Sequence, residues 1–183
     1  QGASDAGLIP MVFPDYKPVE DPNISNYFEN KWGSSLDPSK GLTVVEIMNA
    51  IIEDKMKGMY VMGENPAMSD PDQNHARKAL AKLKHLVVQD IFFTETAWFA
   101  DVIFPASAQP EKAGTYTNSN RQVQMGIPVR KIPGKAKQDW KLIVDLANNC
   151  GLDWKYKKVS EVYEEMASTM SSLDNITWTR LER

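Results

Sequence analysis

Residues that can bind a ligand follow three short apolar runs of the sequence. Gly63, Glu64, Asn65, Pro66 and Ser69 follow the first run, Gln89 and Asp90 end the second, and Ala106 and Ser107 follow the third. A glycine lets the backbone approach a ligand closely, and the N–H groups at the start of a following helix can bind phosphate oxygens. The side chains of Asn65 and Asp90 can pair with amino, imino or hydroxyl groups of a nucleotide or a pterin. The pattern predicts binding rather than catalysis, because no complete set of catalytic groups accompanies it.

The same residue types also occur in ordinary structure, which leaves a second interpretation open. Asn-Pro and Ser-Asp pairs are common in turns and at helix caps, where their side chains bond their own backbone. No G-x-G-x-x-G follows an apolar run, and no G-x-x-x-x-G-K-[ST] occurs in the sequence. The motifs therefore disfavour both a standard NAD site and a P-loop.

Helical and extended patterns alternate around these residues. Thr43 is predicted to cap a helix, because Glu46 follows three residues later and the next apolar residues lie on one stripe. The predicted strands are Met59–Met62, Leu86–Gln89 and Asp101–Phe104, and the other predicted helices are Asp72 to about Leu83, Thr94–Phe99, Gln138–Asn149 and Val159–Met170. This alternation predicts an α/β fold with a mostly parallel sheet. Ligands of such sheets bind beyond the carboxyl ends of the strands, where the residues above lie.

Composition predicts three consecutive domains. Residues 1–40 contain five prolines and little periodicity, so they are predicted to form an extended, irregular segment that lies over other protein surface. Residues 41–150 are predicted to form the α/β domain, and residues 151–183 a helical tail. Within the polar stretch after Pro105, Tyr116 and Val123 fit short extended segments, but no hairpin turn is evident.

Charge and composition disfavour several classes of function. The net charge of −3 gives no basic excess for nucleic acid, and no apolar run reaches the ~20 residues that a membrane helix needs. The single cysteine, Cys150, cannot form an internal disulfide, and together with His75 and His85 it shows no zinc-ligand spacing. The first residues lack the basic start and the apolar stretch of a secretory signal. We expect a cytoplasmic protein, and the periplasm stays an alternative.

A longer stretch of the sequence resembles a known enzyme family. Residues 58–124 carry, in order, GENP, VVQDIF, TETA, ADV-x-x-P, E-K-x-G-T-x-T-N and R-x-V-Q, and D-W follows at Asp139 and Trp140. This ordered set closely resembles the catalytic alpha subunit of molybdopterin-dependent formate dehydrogenases, in the dimethyl-sulfoxide-reductase superfamily. The beginning, QGASDAGLIPMVFPDYKPV, is also similar to that family, so the resemblance covers nearly the whole chain.

The resemblance implies a cofactor and a more specific fold. Members of this family hold molybdenum or tungsten between two molybdopterin guanine dinucleotides, an arrangement called bis(molybdopterin guanine dinucleotide). They carry a [4Fe–4S] cluster elsewhere in the subunit. By this resemblance, the chain is a Rossmann-like half of the enzyme, a three-layer αβα unit that cradles one dinucleotide.

The resemblance also implies roles for individual residues. The implied cofactor-binding residues are Gly63, Glu64, Asn65, Ser69, Gln89, Asp90, Ala106 and Asp139. The first four lie against the nucleotide end, Gln89 and Asp90 recognise guanine and ribose, and Ala106 makes a backbone contact. Asp139 lies near a guanine, whose N1–H and N2–H₂ groups can donate hydrogen bonds to a carboxylate. A polar loop with Glu111, Gly114, Thr115, Asn118 and Arg121 resembles a segment that covers the cofactor or faces another subunit.

Other parts of the family's active site have no counterpart in this sequence. Neither the cluster cysteines nor the metal-ligating Cys or selenocysteine with its adjacent His is present. We therefore expect a segment of a catalytic subunit, inactive alone, whose partners are the remainder of that subunit and electron-transfer subunits, with formate as substrate. Two alternatives stay open, namely another molybdopterin oxidoreductase of the nitrate or arsenite type and a non-catalytic module that has lost the cofactor.

Overall fold

A computed structural model describes all residues from 1 to 183. The helices are α1 (Gly2–Asp5), α2 (Pro22–Trp32), α3 (Val44–Ile52), α4 (Pro66–Ser69), α5 (Gln73–Lys82), α6 (Asp139–Asn149), α7 (Val159–Ala167) and α8 (Trp178–Leu181). The strands are β1 (Val12–Phe13), β2 (Lys17–Pro18), β3 (Gly58–Met62), β4 (His85–Asp90), β5 (Val102–Pro105), β6 (Gly114–Thr117) and β7 (Val123–Gly126). Short 3-10 segments cover Pro14–Tyr16, Thr96–Phe99, Gln109–Glu111 and Ser171–Leu173. None of the helices combines the length and the apolar character that crossing a membrane requires.

The chain divides into two compact units, each assembled from separated segments. We call one the sheet unit (Thr43–Lys112 and Ile127–Lys155) and the other the hairpin unit (Gln1–Leu42, Ala113–Gly126 and Tyr156–Arg183). Each unit joins stretches that are distant in sequence, so the grouping follows contacts and not chain order. The three consecutive domains expected from the sequence stay a prediction.

The sheet unit contains a parallel three-stranded sheet in the order β3-β4-β5. In its register Met62 lies beside Gln89, and Gln89 lies beside Phe104. Helix α5 returns the chain between β3 and β4, as parallel neighbours require. The predicted α/β fold with a parallel sheet is therefore confirmed, and the carboxyl ends of all three strands lie at one edge of the sheet.

One face of this sheet packs on helices through apolar side chains. Val61, Leu86 and Val88 of the strands pack in one cluster with Leu80 of α5 and Ala67 of α4, and all five are buried. Removing these side chains from water is the main term that holds the sheet and its helices together.

Helix α3 begins as its sequence predicts. Thr43 N donates to Glu46 Oε2 at 2.7 Å, and Glu46 N donates back to Thr43 Oγ1 at 3.4 Å, which is a capping box. Met48 and Ile51, from the apolar stripe, are buried in a second cluster that includes residues of α5. The predicted cap is confirmed, and the predicted stripe of Val44, Ile47, Met48, Ile51 and Ile52 is confirmed except at Val44, which is 60% exposed.

The N-terminal segment is less irregular than the sequence predicts. Residues 22–32 form helix α2, whose first residue is Pro22 and whose cap is Asp21, where Oδ1 accepts from Asn23 N at 2.9 Å. The fully buried Phe28 stacks on Phe13 with ring centroids 4.5 Å apart. The expectation of an irregular segment over 1–40 was therefore wrong for these eleven residues. A proline at the first helical position starts a helix, because its missing N–H needs no partner there.

The polar stretch after Lys112 contains the short extended segments expected at Tyr116 and Val123, and it pairs them in a way that was not predicted. Strands β6 and β7 pair antiparallel, with Thr117 beside Val123, and form a hairpin. The loop closes through Asn118, whose Oδ1 accepts from Gln122 N at 3.0 Å, and Arg121 adopts a left-handed φ of 62°. No glycine marks this turn, because Arg121 takes the conformation that usually favours glycine.

Candidate functional site

The ends of the three parallel strands bring Gly63, Asp90 and Ala106 next to one another. Gly63 N donates to Gln89 O at 2.9 Å, and Ala106 N donates to Asp90 O at 3.0 Å. We call this region the strand-end edge. Adjacent strands are about 4.8 Å apart, so one ligand of nucleotide size can reach all three ends. The predicted convergence of these residues is confirmed by the register of the sheet.

Gly63 leaves the first strand end open. It has a left-handed φ of +63°, and a Cβ added there would meet no atom within 4 Å. Ordinary side chains are strained in this conformation, so glycine both makes the turn and leaves the backbone accessible to a ligand.

Glu64 and Ser69 form a small exposed pair next to Gly63. Ser69 Oγ donates to Glu64 Oε1 at 2.5 Å, and Asn65 N donates to the same oxygen at 3.1 Å. These bonds, that from Ser69 first, lower the pKa of Glu64 below its ordinary value. Glu64 is therefore ionised at neutral pH, and an ionised carboxylate accepts hydrogen bonds from hydroxyl groups such as those of a ribose.

The side chain of Asn65 is committed to the protein. Its Oδ1 accepts from Thr96 N at 3.1 Å and from Thr96 Oγ1 at 2.8 Å, and its Nδ2 donates to Glu95 Oε2 at 2.7 Å. Thr96 is fully buried, and its Oγ1 also accepts from Ala67 N at 3.0 Å. Asn65 thus joins the loop after β3 to the loop after β4. A direct contact of this side chain with a ligand stays a prediction.

Asp90 offers the most available acceptor at the edge. Its Oδ1 accepts from Phe92 N at 3.0 Å, while its Oδ2 makes no hydrogen bond within the chain. The residue is half-buried. A carboxylate with one oxygen held by the backbone and the other free is well suited to pair with the N–H groups of a base or a ribose hydroxyl.

Gln89 and Asp139 meet in a network on the sheet face opposite the α5 cluster. The Tyr60 hydroxyl donates to Gln89 Oε1, and Gln89 Nε2 donates to Asp139 Oδ1 at 2.7 Å. Lys112 Nζ pairs with Asp139 Oδ2 and donates to Ser107 O at 2.9 Å. Burial, and then the charge of Asp139, raise the pKa of the Tyr60 phenol, which keeps it a donor. We call these five residues the Gln89–Asp139 network.

The two predicted residues of this network, Gln89 and Asp139, differ in burial and in their remaining capacity for hydrogen bonds. Gln89 is fully buried, and both ends of its amide are engaged. The side chain of Asp139 is 29% exposed at the first position of α6. Each of its oxygens holds one bond, which leaves further lone pairs on the carboxylate. Gln89 therefore orients Asp139, and Asp139 keeps some capacity to accept from a ligand.

One polar atom at this edge lacks a partner. Ser107 Oγ is fully buried and makes no hydrogen bond, although Ser107 N donates to Lys137 O at 2.9 Å. A buried hydroxyl without a partner costs about 1–3 kcal/mol. The preceding residue, Ala106, is also buried, and its N–H is bonded to Asp90 O, so a ligand contact through that N–H would have to be shared.

Sequence reasoning missed Tyr60 and Lys112 as members of this network. Tyr60 lies two residues before Met62, so strand alternation puts both side chains on the face that carries Gln89. Lys112 belongs to the E-K-x-G-T-x-T-N motif, which was identified without a role for its lysine. The position of Tyr60 could be predicted from strand alternation in the sequence, whereas the pairing of Lys112 with Asp139 depends on the tertiary fold.

The polar-loop residues are divided between the two units. Glu111, in the sheet unit, accepts from Ala108 N through Oε2 at 2.8 Å. Gly114, Thr115, Asn118 and Arg121 belong to the β6–β7 hairpin in the hairpin unit. There Thr115 and Arg121 line a cavity of about 550 Å³. No group of three or more His, Cys, Asp or Glu side chains in residues 1–183 is arranged to hold a metal ion.

The chain is similar to known proteins both in sequence and in fold. The sequence profile of the family described as Molybdopterin oxidoreductase matches residues 6–149. The alpha subunit of the F420-dependent formate dehydrogenase of Methanocaldococcus jannaschii is 44% identical to the chain, covering 100% of it and 27% of that protein. The alpha subunit of F420-dependent formate dehydrogenase 1 of Methanococcus maripaludis is 39% identical, covering 99% of the chain and 27% of that protein. Acetylene hydratase from Pelobacter acetylenicus aligns with a TM-score of 0.62 at 20% identity, over 87% of this chain and 23% of that one, which indicates a shared fold.

Proposed function

The chain belongs to the molybdopterin oxidoreductase family, and from this membership we propose that its strand-end edge binds the guanine end of a pterin dinucleotide in a formate dehydrogenase catalytic subunit. The cofactor is bis(molybdopterin guanine dinucleotide) with molybdenum or tungsten, and a [4Fe–4S] cluster lies elsewhere in the subunit. The chain spans 27% of the length of each of the two formate dehydrogenase subunits described above.

One observation carries this proposal most strongly. At the strand-end edge an open glycine, Gly63, lies next to a carboxylate, Asp90, whose Oδ2 has no partner in the chain. The unpartnered Ser107 hydroxyl adds a polar atom to the same edge. The donor and acceptor types available there fit a guanine nucleotide, because guanine offers N–H donors and its ribose offers hydroxyl groups.

In this proposal the chain's own residues bind and orient the cofactor. When bound, the metal and its pterins supply the redox chemistry that converts formate to CO₂ with release of a proton and two electrons. Asp90 and Asp139 accept from guanine or ribose, Glu64 accepts from a hydroxyl, and Gly63 gives the ligand access to the backbone. Asn65 and Gln89 are positioning residues, since their amides are engaged within the protein.

The choice of formate rests on the relatives. Both of those described above are named formate dehydrogenases, which favours formate over the nitrate and arsenite alternatives. In the proposed enzyme the rest of the catalytic subunit and electron-transfer subunits are partners of this chain. The cytoplasmic location stays a prediction.

The experiment replaces the free carboxylate at the edge. Asp90→Asn in the full-length protein keeps an acceptor for Phe92 N but changes the free oxygen into an amide donor that opposes the donors of guanine. Cofactor affinity is expected to fall about tenfold or more, as for loss of a hydrogen bond to a charged group. Metal content, oxidised-pterin fluorescence and formate oxidation are measured together, and all three should fall.

The matched control is Asp153→Asn, an exposed carboxylate paired with Lys155 at 2.8 Å, which should change none of these values. Unaltered metal and pterin content in Asp90→Asn would refute the role of the edge. Cofactor retention without formate oxidation in the wild type would instead favour one of the other substrates. Lack of both cofactor and activity in the wild type would favour the non-catalytic module.

A further inference from the structure

We propose that Lys112 competes with guanine for the carboxylate of Asp139 and thereby sets the affinity of the nucleotide site. The inference rests on the proposed function, because it concerns the same edge. The proposed role of Lys112 is electrostatic, because Lys112 acts on Asp139 and does not contact the ligand.

The contacts of Lys112 give it this position. Its ammonium pairs with Asp139 Oδ2, and the side chains are only 23% and 29% exposed. Asp139 Oδ1 is meanwhile held by Gln89 Nε2 at 2.7 Å. Each oxygen of the carboxylate therefore already holds one donor, and a guanine edge with its N1–H and N2–H₂ groups would use the same two oxygens. Gln89 is fully buried and fixed by Tyr60, so Lys112 is the member of the pair that can be displaced.

The lysine has a second attachment that does not involve Asp139. Lys112 Nζ donates to Ser107 O at 2.9 Å, and the unpartnered hydroxyl belongs to the same residue. An ammonium has three donors on a flexible stem, so it can release Asp139 while it keeps Ser107 O.

The ion pair of Lys112 with Asp139 also stabilises the protein before the cofactor binds. A half-buried carboxylate without a cation destabilises the fold, and Lys112 supplies that cation in protein that has not yet received its cofactor. When guanine binds, its neutral donors must replace a charged one. Lys112 thus stabilises the free protein and weakens nucleotide binding. A lysine with a purely structural role would instead increase both the stability of the free protein and its affinity for the nucleotide.

The test uses full-length protein produced in a host that cannot make the cofactor, with GMP as the probe and AMP as the control ligand. Calorimetric titration of Lys112→Met should show GMP binding about tenfold tighter than wild type, as expected when one charge-assisted bond no longer opposes binding. The melting temperature of the same variant should be lower. AMP affinity should not change, because adenine lacks the paired donors that engage Asp139.

Three further variants separate this inference from a purely structural role of Lys112. Asp139→Asn should weaken GMP binding, and Lys112→Met should have no further effect when added to Asp139→Asn. Lys112→Gln, which retains a neutral N–H donor, should give a smaller gain and serves if Lys112→Met does not fold. Weaker or unchanged GMP binding in the Lys112 variants, with Asp139→Asn still weakening it, would overturn the inference and leave the proposed function standing. If neither Asp139→Asn nor Asp90→Asn alters GMP binding, or if GMP does not bind the wild type, the inference and the proposed function are both refuted.

Discussion

Asp90 and Asp139 carry the same functional group in different surroundings, and this difference decides what each can do. Asp90 has one oxygen on the Phe92 backbone and one free. Asp139 has one oxygen on Gln89 and one on Lys112. A ligand finds an unoccupied oxygen at Asp90, whereas at Asp139 both oxygens already hold one donor each. In the proposed site Asp90 is therefore the primary acceptor for the ligand, and the affinity of Asp139 for the ligand depends on Lys112.

A different residue gives the clearest pH-dependent prediction. Burial, and then the hydrogen bond and charge of Glu165, raise the pKa of Tyr156 from 10.0 to about 12. Because the folded state holds this proton more tightly than the unfolded state, its contribution is present below pH 10 and is lost as the pH rises through about 12. We expect the free energy of unfolding to fall over this window more steeply in the wild type than in Tyr156→Phe. Urea unfolding at several pH values measures the difference, and parallel curves would contradict it.

At the scale of elements, one amide connects the loops that follow β3 and β4. Asn65 accepts from both the N–H and the hydroxyl of the buried Thr96. Asn65→Ala leaves both groups without an acceptor and should lower the free energy of unfolding by about 1–3 kcal/mol. Asn65→Asp keeps the acceptor for Thr96 but would face the carboxylate of Glu95, so it is made together with Glu95→Gln, and this double variant should cost less.

Chemical denaturation of the three proteins measures these losses, and Asn74→Ala, an exposed asparagine of α5, is the matched control. Equal losses in Asn65→Ala and in the double variant Asn65→Asp, Glu95→Gln would mean that the acceptor for Thr96 is not what joins the two loops.

Some helices and strands could be predicted from the sequence, and others could not. The three parallel strands and α3 followed from β-branched runs and a capping box, because both signals are local. Helix α2 was missed because Pro22 was counted as a breaker, although it starts the helix. The β6–β7 hairpin was missed because Arg121, and not glycine, supplies the left-handed turn residue.

The candidate site was predictable to a similar extent. The convergence of Gly63, Asp90 and Ala106 follows from the parallel sheet alone. The commitment of Asn65 to Thr96 and of Asp139 to Lys112 could not be read from the sequence. Both pairings join residues at least 27 positions apart and depend on how loops and helices pack.

At the scale of the whole molecule, exposed aromatic side chains suggest where other protein lies. Phe92 and Trp98 are 74% and 76% exposed in the segment that follows β4. Large exposed apolar groups that cluster at one place often mark an interface. Since the relatives are nearly four times as long as the match, we propose that the remainder of the catalytic subunit covers this segment.

The position of guanine in the full-length, cofactor-loaded protein tests the central claim most directly. A crystal structure should place the N1–H or N2–H₂ group of one guanine, or a hydroxyl of its ribose, within about 3 Å of Asp90 Oδ2, with the nucleotide lying across Gly63. The same structure should show Asp139 accepting from that guanine and Lys112 withdrawn toward Ser107. A guanine nucleotide bound away from the three strand ends, or a bound cofactor without any nucleotide, would contradict the assignment.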